Sequence, residues 1–330
     1  MASSSLKAFK GFQDYLEERR PCLEMAFKMA LSGLLEGIPL RDAPSLRKAL
    51  EGGKKIRGCL SCLINDALGG NPESAIPRAV AVEMVQAATL IHDDFVDQDT
   101  VRGGRPAVWT IEGPRRAVLI GDVLFATAIQ MMSDLSREDG LSISLAIAQI
   151  AQGALREPLE PLMLSGELTS GPNTDRLYEK IIHLKTGILF GTACHLGAIA
   201  AGAGNKLRQA AYRYGLRIGE AYQIADDLKE MKLHLSTQSI NPRQMTALAP
   251  AFLHFLKGMD PHLLEFLDGR TDLNGPPLEC FAAAAGLMEN EIQYRLRGAV
   301  SEIEGDFPDN GSIDLARKTP EDIIRMFNES

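Results

Sequence analysis

The sequence predicts an all-α protein, a single large helix bundle over residues 1–330 with a central cavity. Three observations carry that reading. Long segments such as RAVAVEMVQAATLIHDD, RRAVLIGDVLFATAIQMMSDL and RLYEKIIHLKTGILFGTACHLGAIAAGAG are rich in Ala, Leu, Ile and Met and repeat with helical spacing. No segment alternates with period two, and the β-branched residues gather into no short runs. Breakers at LGGNPESAIP, GGRPAVW, IEGPRR, TSGPNTD and LNGPPLE fall where loops would join long helices.

Ordinary helix lengths divide the chain into about ten or more helices. The segment from Ala79 to His92 is apolar nearly all round, which places it at the centre. Toward the end, DLNGPPLE reads as a loop and AAAAGLMENEIQYRL as a helix. TPEDIIRMF reads as a further helix capped by Thr319, with Pro320 at its first position. Trp109 is expected to pack beneath the loop after GGRPA.

Of the 330 residues, 45% are hydrophobic and 24% charged, a globular composition with no linker to divide it. Lys plus Arg total 35 against 43 Asp plus Glu, a net charge of −8 that excludes a nucleic-acid partner. MASSSLKAFKGFQDYLEERR lacks an apolar core of signal-peptide length, and no uninterrupted apolar run reaches membrane-spanning length. A cytoplasmic protein without a transmembrane segment is the expectation. Of five cysteines, Cys59 and Cys62 form a CxxC with no second pair to complete a zinc site. Both read as small apolar residues on one helix face.

The chemistry starts at LIHDDFVDQDTVRGGRP, Leu90 to Pro106. Asp93 and Asp97 are four apart, so on a helix their carboxylates share one face a turn apart. Without a cation that pairing is repulsive by roughly 0.2–0.5 kcal/mol. DDLKE, at 226–230, repeats the geometry with Asp226 and Glu230 at the end of another apolar helix. Two such helix ends facing each other suit Mg²⁺, which takes few protein oxygens and completes its shell with water and phosphate. GGKKIRG adds Lys54, Lys55 and Arg57 after Gly52 and Gly53, which allow backbone to approach an oxyanion. Arg102 and Lys185 could close over the same phosphates, and Lys185 in an apolar helix calls for a partner anion. His92 reads as a packing residue or one that supports a metal ligand from behind, and His183 and His195 have no partner at metal-ligand spacing.

GGKKIR, LIHDDFVDQDTVRGGRPA, GDVLFATA, KTGILFG and GEAYQIADDLKE resemble, in order and approximate spacing, the signatures of the trans-isoprenyl diphosphate synthases, or polyprenyl synthetases. The resemblance spans residues 52–230. It implies the isoprenoid-synthase helix bundle, usually homodimeric. It also implies condensation of isopentenyl diphosphate with an allylic diphosphate that is ionised with three Mg²⁺ ions. Carried over, Asp93 and Asp97 would bind two ions and Asp226 the third, assisted by Asp94, Asp227 and Glu230. Arg102, Lys185 and Gln223 would hold the allylic diphosphate, and Thr186 would line the cation path. Gly53, Lys54, Arg57 and Gln86 would serve isopentenyl diphosphate.

The chain also departs from the family pattern. A second arginine normally follows the first, but here Arg102 precedes Gly103, which leaves Arg105 as a helper. The second motif ends in Glu230 rather than Asp, and the lysines expected beyond it are missing, with Lys229 and Lys232 as substitutes. Ala88 and Thr89, small residues one turn before the first motif, would let a growing tail pass. Met84 and Val85 would form a floor, with Gln130 and Met131 opposite. Each further CH₂ buried gains about 0.8 kcal/mol, so a product of about C20 or somewhat longer is favoured. Two alternatives stay open: a class I terpene cyclase or atypical prenyltransferase that does not use isopentenyl diphosphate normally, and a non-catalytic partner subunit of a synthase.

Overall fold

The computed structural model describes residues 9–37, 39–156, 176–237, 248, 250–252, 254–255 and 276–329. In chain order the helices are α1 (Phe12–Leu34), α2 (Ala43–Leu50), α3 (Ile56–Ala67), α4 (Pro72–Val96), α5 (Val108–Glu112), α6 (Pro114–Leu135) and α7 (Arg137–Ala154). After α8 (Leu177–Ile182) comes a π-helical turn, His183–Gly187, then α9 (Ile188–Ala200), α10 (Asn205–Thr237), α11 (Pro276–Ile303) and α12 (Gly311–Asn328). Strand is confined, among the described residues, to a hairpin of β1 (Val101–Arg102) and β2 (Arg105–Pro106), which sequence patterning reads as loop.

Helix starts follow local chemistry. Asp42, Asn71, Ser136 and Asn310 each accept a hydrogen bond from a backbone N–H in the turn they cap, at α2, α4, α7 and α12. Pro72 and Pro114 stand at the first positions of α4 and α6, where a missing N–H costs nothing.

Three apolar cores hold the helices together. One joins α1, α3, α9, α10 and α12 around Phe12, Leu60, Phe190 and Tyr214. A second joins α4, α6, α7 and α9 around Met84, Ala88, Leu124 and Leu189. The third joins α8, α10 and α11 around Ile182, Leu228 and Met288. From Ala79 to Ala88, α4 is buried almost without interruption, so the helix expected at the centre is there. By length and composition alone, α4 and α6 could each cross a bilayer, although neither contains an uninterrupted apolar run of that length. Over the relevant windows, 56% of α4 but only 28% of α6 is buried within the fold.

Cys59 and Cys62 are buried on α3, as expected. Burial raises both thiols, Cys62 to about 12, so neither is a reactive thiolate at neutral pH. Trp109 packs edge-on against Phe95, and its Nε1 donates to the Asp99 carbonyl at 2.6 Å, which pins the loop after α4.

The reading of the last helix needs correction. Thr319 and Pro320 lie inside α12, and Asn310 is the cap. A proline in mid-helix withholds the N–H that would reach the carbonyl four residues back. Here the Tyr214 hydroxyl donates to that carbonyl, Ala316 O, at 2.8 Å.

Candidate active site

The first acidic motif ends α4, with Asp97 as its C-cap. Asp94 is 3% exposed and accepts a charge-assisted bond from Arg102 Nε. Burial raises Asp94, and the hydrogen bond and charge of Arg102 oppose the rise. Asp94 is thus engaged in orienting Arg102. His92 places Nε2 3.1 Å from the Val118 carbonyl and packs edge-on against Phe125, a packing role as expected.

Arg102 belongs to the hairpin, in which Arg102 pairs with Arg105 and Val101 with Pro106. The two connecting residues, Gly103 and Gly104, have φ of +56° and +73°, as a type I′ turn requires. Cross-strand partners stand side by side, so Arg105 stands next to Arg102 across the hairpin. Arg105 Nη1 donates to the Lys48 carbonyl at 2.6 Å. It also lies so near the basic loop that a Cβ on Gly52 would stand 2.8 Å from it.

The second motif lies inside α10, which continues to Thr237, so it is not at a helix end as the sequence reading expects. Desolvation raises both Asp97 and Asp226, and the largest opposing influence on each is the same ammonium, Lys185. Arg102 also lowers both. Acidic groups more than a hundred residues apart, one at the end of α4 and one inside α10, are thus lowered by the same two cations.

Lys185 and Thr186 sit in the π turn, a wider i→i+5 turn of the kind often found at functional sites. Thr186 Oγ1 donates to Gln223 Oε1 at 2.5 Å, and Gln223 Nε2 donates to Asp227 Oδ1 at 3.0 Å. The Tyr178 hydroxyl donates to Asp227 Oδ2 at 2.5 Å. Burial pushes Asp227 up to about 7, against the pull of these two hydrogen bonds. Both Asp227 oxygens are thus occupied in holding Gln223 and Tyr178. Tyr178 lies in no motif, and only the packing of α8 against α10 reveals it.

The basic loop divides in two. Lys55, with φ +57°, turns inward, donates to the Gly52 carbonyl at 2.8 Å and places its ammonium 4.3 Å from the Phe27 ring centroid. Its role is structural. Lys54 instead reaches the end of α12, donating to the Met326 carbonyl at 3.1 Å. Burial lowers Lys54, and so does the charge of Lys229, which donates to the Phe327 carbonyl at 3.4 Å. Arg57 stacks 4.4 Å over Phe190, and its Nε is buried without a hydrogen-bond partner among the described residues. Gly53 has φ +92° at the exposed tip of the loop, and Gln86 is half-buried on α4. Lys232 is paired on the surface with Glu289 at 2.6 Å, outside this cluster.

Met84, Val85 and Ala88 are fully buried in the second core, and Thr89, half-buried, donates to the Gln86 carbonyl at 2.9 Å. Leu124, Ala128 and Met132, every fourth residue of α6, belong to the same core, and Met131 packs partly against it. Gln130 is exposed on the outer side of α6, so it is no part of a floor.

Among the described residues, no three His, Cys, Asp or Glu side chains converge as a closed metal site. Paired, separate carboxylates beside lysine and arginine are instead the donor set of a cation that completes its shell with phosphate and water, as Mg²⁺ does. The residues fit such an ion.

The polyprenyl synthetase family model matches residues 43–238, more than half of the chain, and the chain belongs to that family. It is 34% identical over 181 residues to the geranylgeranyl diphosphate synthase of Methanosarcina mazei, covering 54% of this chain and 55% of that one. It is 35% identical over 214 residues to the short chain isoprenyl diphosphate synthase of Methanothermobacter thermautotrophicus, covering 65% of each. The chain thus spans little more than half the length of the first relative and just under two thirds of the second. The crystal structure of geranylgeranyl pyrophosphate synthase from Lactobacillus brevis shares the fold, with a TM-score of 0.73 at 21% identity over 94% of this chain and 99% of that one.

Proposed function

We propose that the chain is a Mg²⁺-dependent prenyltransferase that condenses isopentenyl diphosphate with an allylic diphosphate. The product would be a linear trans-polyprenyl diphosphate of about C20 or somewhat longer, in keeping with the buried, small-residue wall at Ala88. What carries this reading is that Arg102 bonds Asp94 of the first motif and Thr186, beside Lys185, bonds Gln223 just before the second, while the charges of Lys185 and Arg102 lower both Asp97 and Asp226. A diphosphate bound there would meet cations from both sides.

In this reading Asp93, Asp97, Asp226 and Glu230 hold up to three Mg²⁺ ions. Asp94 and Asp227 orient Arg102 and Gln223. Bound Mg²⁺ supplies charge stabilisation to the departing diphosphate. Arg102, Lys185 and Gln223 grip the allylic diphosphate, and Thr186 borders the allylic cation. Lys54, Arg57 and Gln86, beside the Gly53 backbone, hold isopentenyl diphosphate, with Arg105 in place of the missing second arginine. The surrounding apolar helices keep water from the cation. No protein nucleophile is needed, because the electrons come from the isopentenyl double bond.

Residues 1–330 are read as one domain of a cytoplasmic homodimer. The seat of the dimer is the outer face of α6 and α7, where Leu119, Val123, Leu141 and Leu145 are exposed.

Incubation with Mg²⁺ and dimethylallyl, geranyl or farnesyl diphosphate, with and without isopentenyl diphosphate, tests the activity by product mass. A longer prenyl diphosphate formed only with isopentenyl diphosphate is expected, and Ala88→Phe should shorten it by at least one five-carbon unit. A hydrocarbon or alcohol formed equally well without isopentenyl diphosphate would replace this reading with a cyclase.

A further inference from the structure

The π turn that carries Lys185 and Thr186 is gripped from two sides. On one side Gly153 of α7 comes so close that a Cβ there would stand 2.8 Å from Leu184 Cβ and 2.9 Å from the Lys185 nitrogen. On the other, a Cβ on Gly187 would meet Glu220 Cγ and Leu216 Cδ1 of α10, each at 3.0 Å. The turn therefore has little room to move except along its own axis.

That remaining freedom is closed by two rungs. Thr186 bonds Gln223, the contact already described. Three residues earlier on each element, His183 Nδ1 lies 2.9 Å from Glu220 Oε1. Residues three apart on a helix share a face, so the rungs run parallel, with Lys185 between them in sequence. Glu220 is 8% exposed and is fixed from behind, because its Oε2 accepts from Arg295 Nη1 of α11. Arg295 in turn donates from Nε to Glu291 Oε1 at 2.8 Å. A doubly engaged, buried carboxylate has little rotamer freedom, whereas His183 alone is half-exposed.

We propose that Glu220 is a positioning residue: braced by Arg295, it holds His183 and so fixes the register at which the π turn presents Lys185 and Thr186. This rests on the prenyl-transfer reading and adds to it a specificity for one substrate. In that reading Lys185 faces the allylic diphosphate; His183, Glu220 and Arg295 bond one another and Glu291, whereas Lys54 bonds the Met326 carbonyl and Arg57 stacks on Phe190. Loosening the rung should therefore act on allylic ionisation and leave isopentenyl diphosphate binding alone.

The test is steady-state kinetics on His183→Ala, His183→Asn and Glu220→Gln. The half-exposed His183 can be truncated without stranding a buried charge. His183→Ala should lower kcat roughly 10- to 100-fold, the scale of a misplacement near 1 Å. The KM for the allylic diphosphate should rise severalfold, while that for isopentenyl diphosphate stays within about twofold. His183→Asn, whose side-chain amide can again donate to Glu220, should recover most of the loss, and Glu220→Gln should show the same split between substrates. Asp139→Asn is the control for a purely structural effect, since it weakens the buried Asp139–Arg78 pair far from the π turn. It should lower the thermal midpoint and leave both KM values alone. Parallel changes in both KM values, or an asparagine variant no better than alanine, would overturn the positioning role. A wild-type protein that makes no isopentenyl-dependent product would instead refute the underlying reading.

Discussion

At Gly103 the backbone turns with φ +56°, and that torsion explains why an arginine is missing from the first motif. A side chain in the left-handed region costs about 1–2 kcal/mol, so the hairpin favours glycine there, and Arg105 is the arginine paired with Arg102 across the strands. Restoring the family pattern with Gly103→Arg should therefore destabilise the protein by about 1–2 kcal/mol in a denaturant titration, without improving isopentenyl diphosphate binding. Arg105→Ala should raise the KM for isopentenyl diphosphate about tenfold or more, the loss of one charge-assisted contact. An unchanged KM would leave Arg105 as a strut to Lys48. Some of this was legible in the sequence. The spacing of Asp93, Asp97, Arg102 and Arg105 is plain, and two glycines between short runs are a hairpin signal, although strands of two residues carry no period-two pattern. Other assignments were not legible. Lys54 and Lys55 are adjacent and chemically alike, and only the positive φ of Lys55 turns it inward. Lys229 and Lys232 stand three apart on α10, yet they take different partners, the Phe327 carbonyl for Lys229 and Glu289 for Lys232.

Elements were more readable than their ends. The apolar stretch at 79–92 fixes the central position of α4, because a helix with no polar face has nowhere else to go. The sequence points to the wrong start for α12 because Thr-Pro-Glu-Asp is a good beginning for a helix, while the observed cap, Asn310, stands nine residues earlier. The compensation at Pro320 comes from another element altogether, and nothing local announces it. Tyr214→Phe should cost about 1–3 kcal/mol, since it strands the buried Ala316 carbonyl. In a Pro320→Ala background, where the backbone N–H is restored, the same change should cost much less, as denaturation of the four variants would reveal. Equal costs in both backgrounds would mean that the hydroxyl does not stand in for the proline's missing donor. The π turn was equally hidden. KTGILFG reads as ordinary helix, and the widened turn emerges only where α7 and α10 close around it.

Over the whole molecule, the family and the bundle are legible because their signatures recur in a fixed order, whereas the meeting of distant groups is not. Asp97 and Asp226 are far apart in sequence, and three apolar cores are needed to bring α4, α10 and the π turn to one place. The exposed apolar face of α6 and α7 belongs to the same scale. If it seats a second copy, light scattering should give a dimer mass for the wild type and a monomer mass for Leu141→Asp with Leu145→Asp. A wild-type monomer would leave that face without the partner assigned to it.

The central claim is that the acidic motif at the end of α4 and the one inside α10 make one diphosphate site. A double-mutant cycle tests it directly, with calorimetry of farnesyl diphosphate binding in the presence of Mg²⁺ for the wild type, Asp97→Ala, Asp226→Ala and the double variant. A shared site predicts that each single change weakens Mg²⁺-dependent binding at least about tenfold, and that the double variant falls short of the summed loss by more than roughly 1 kcal/mol. Losses that simply add, or a single change without effect, would show that the two motifs act apart and would contradict the account.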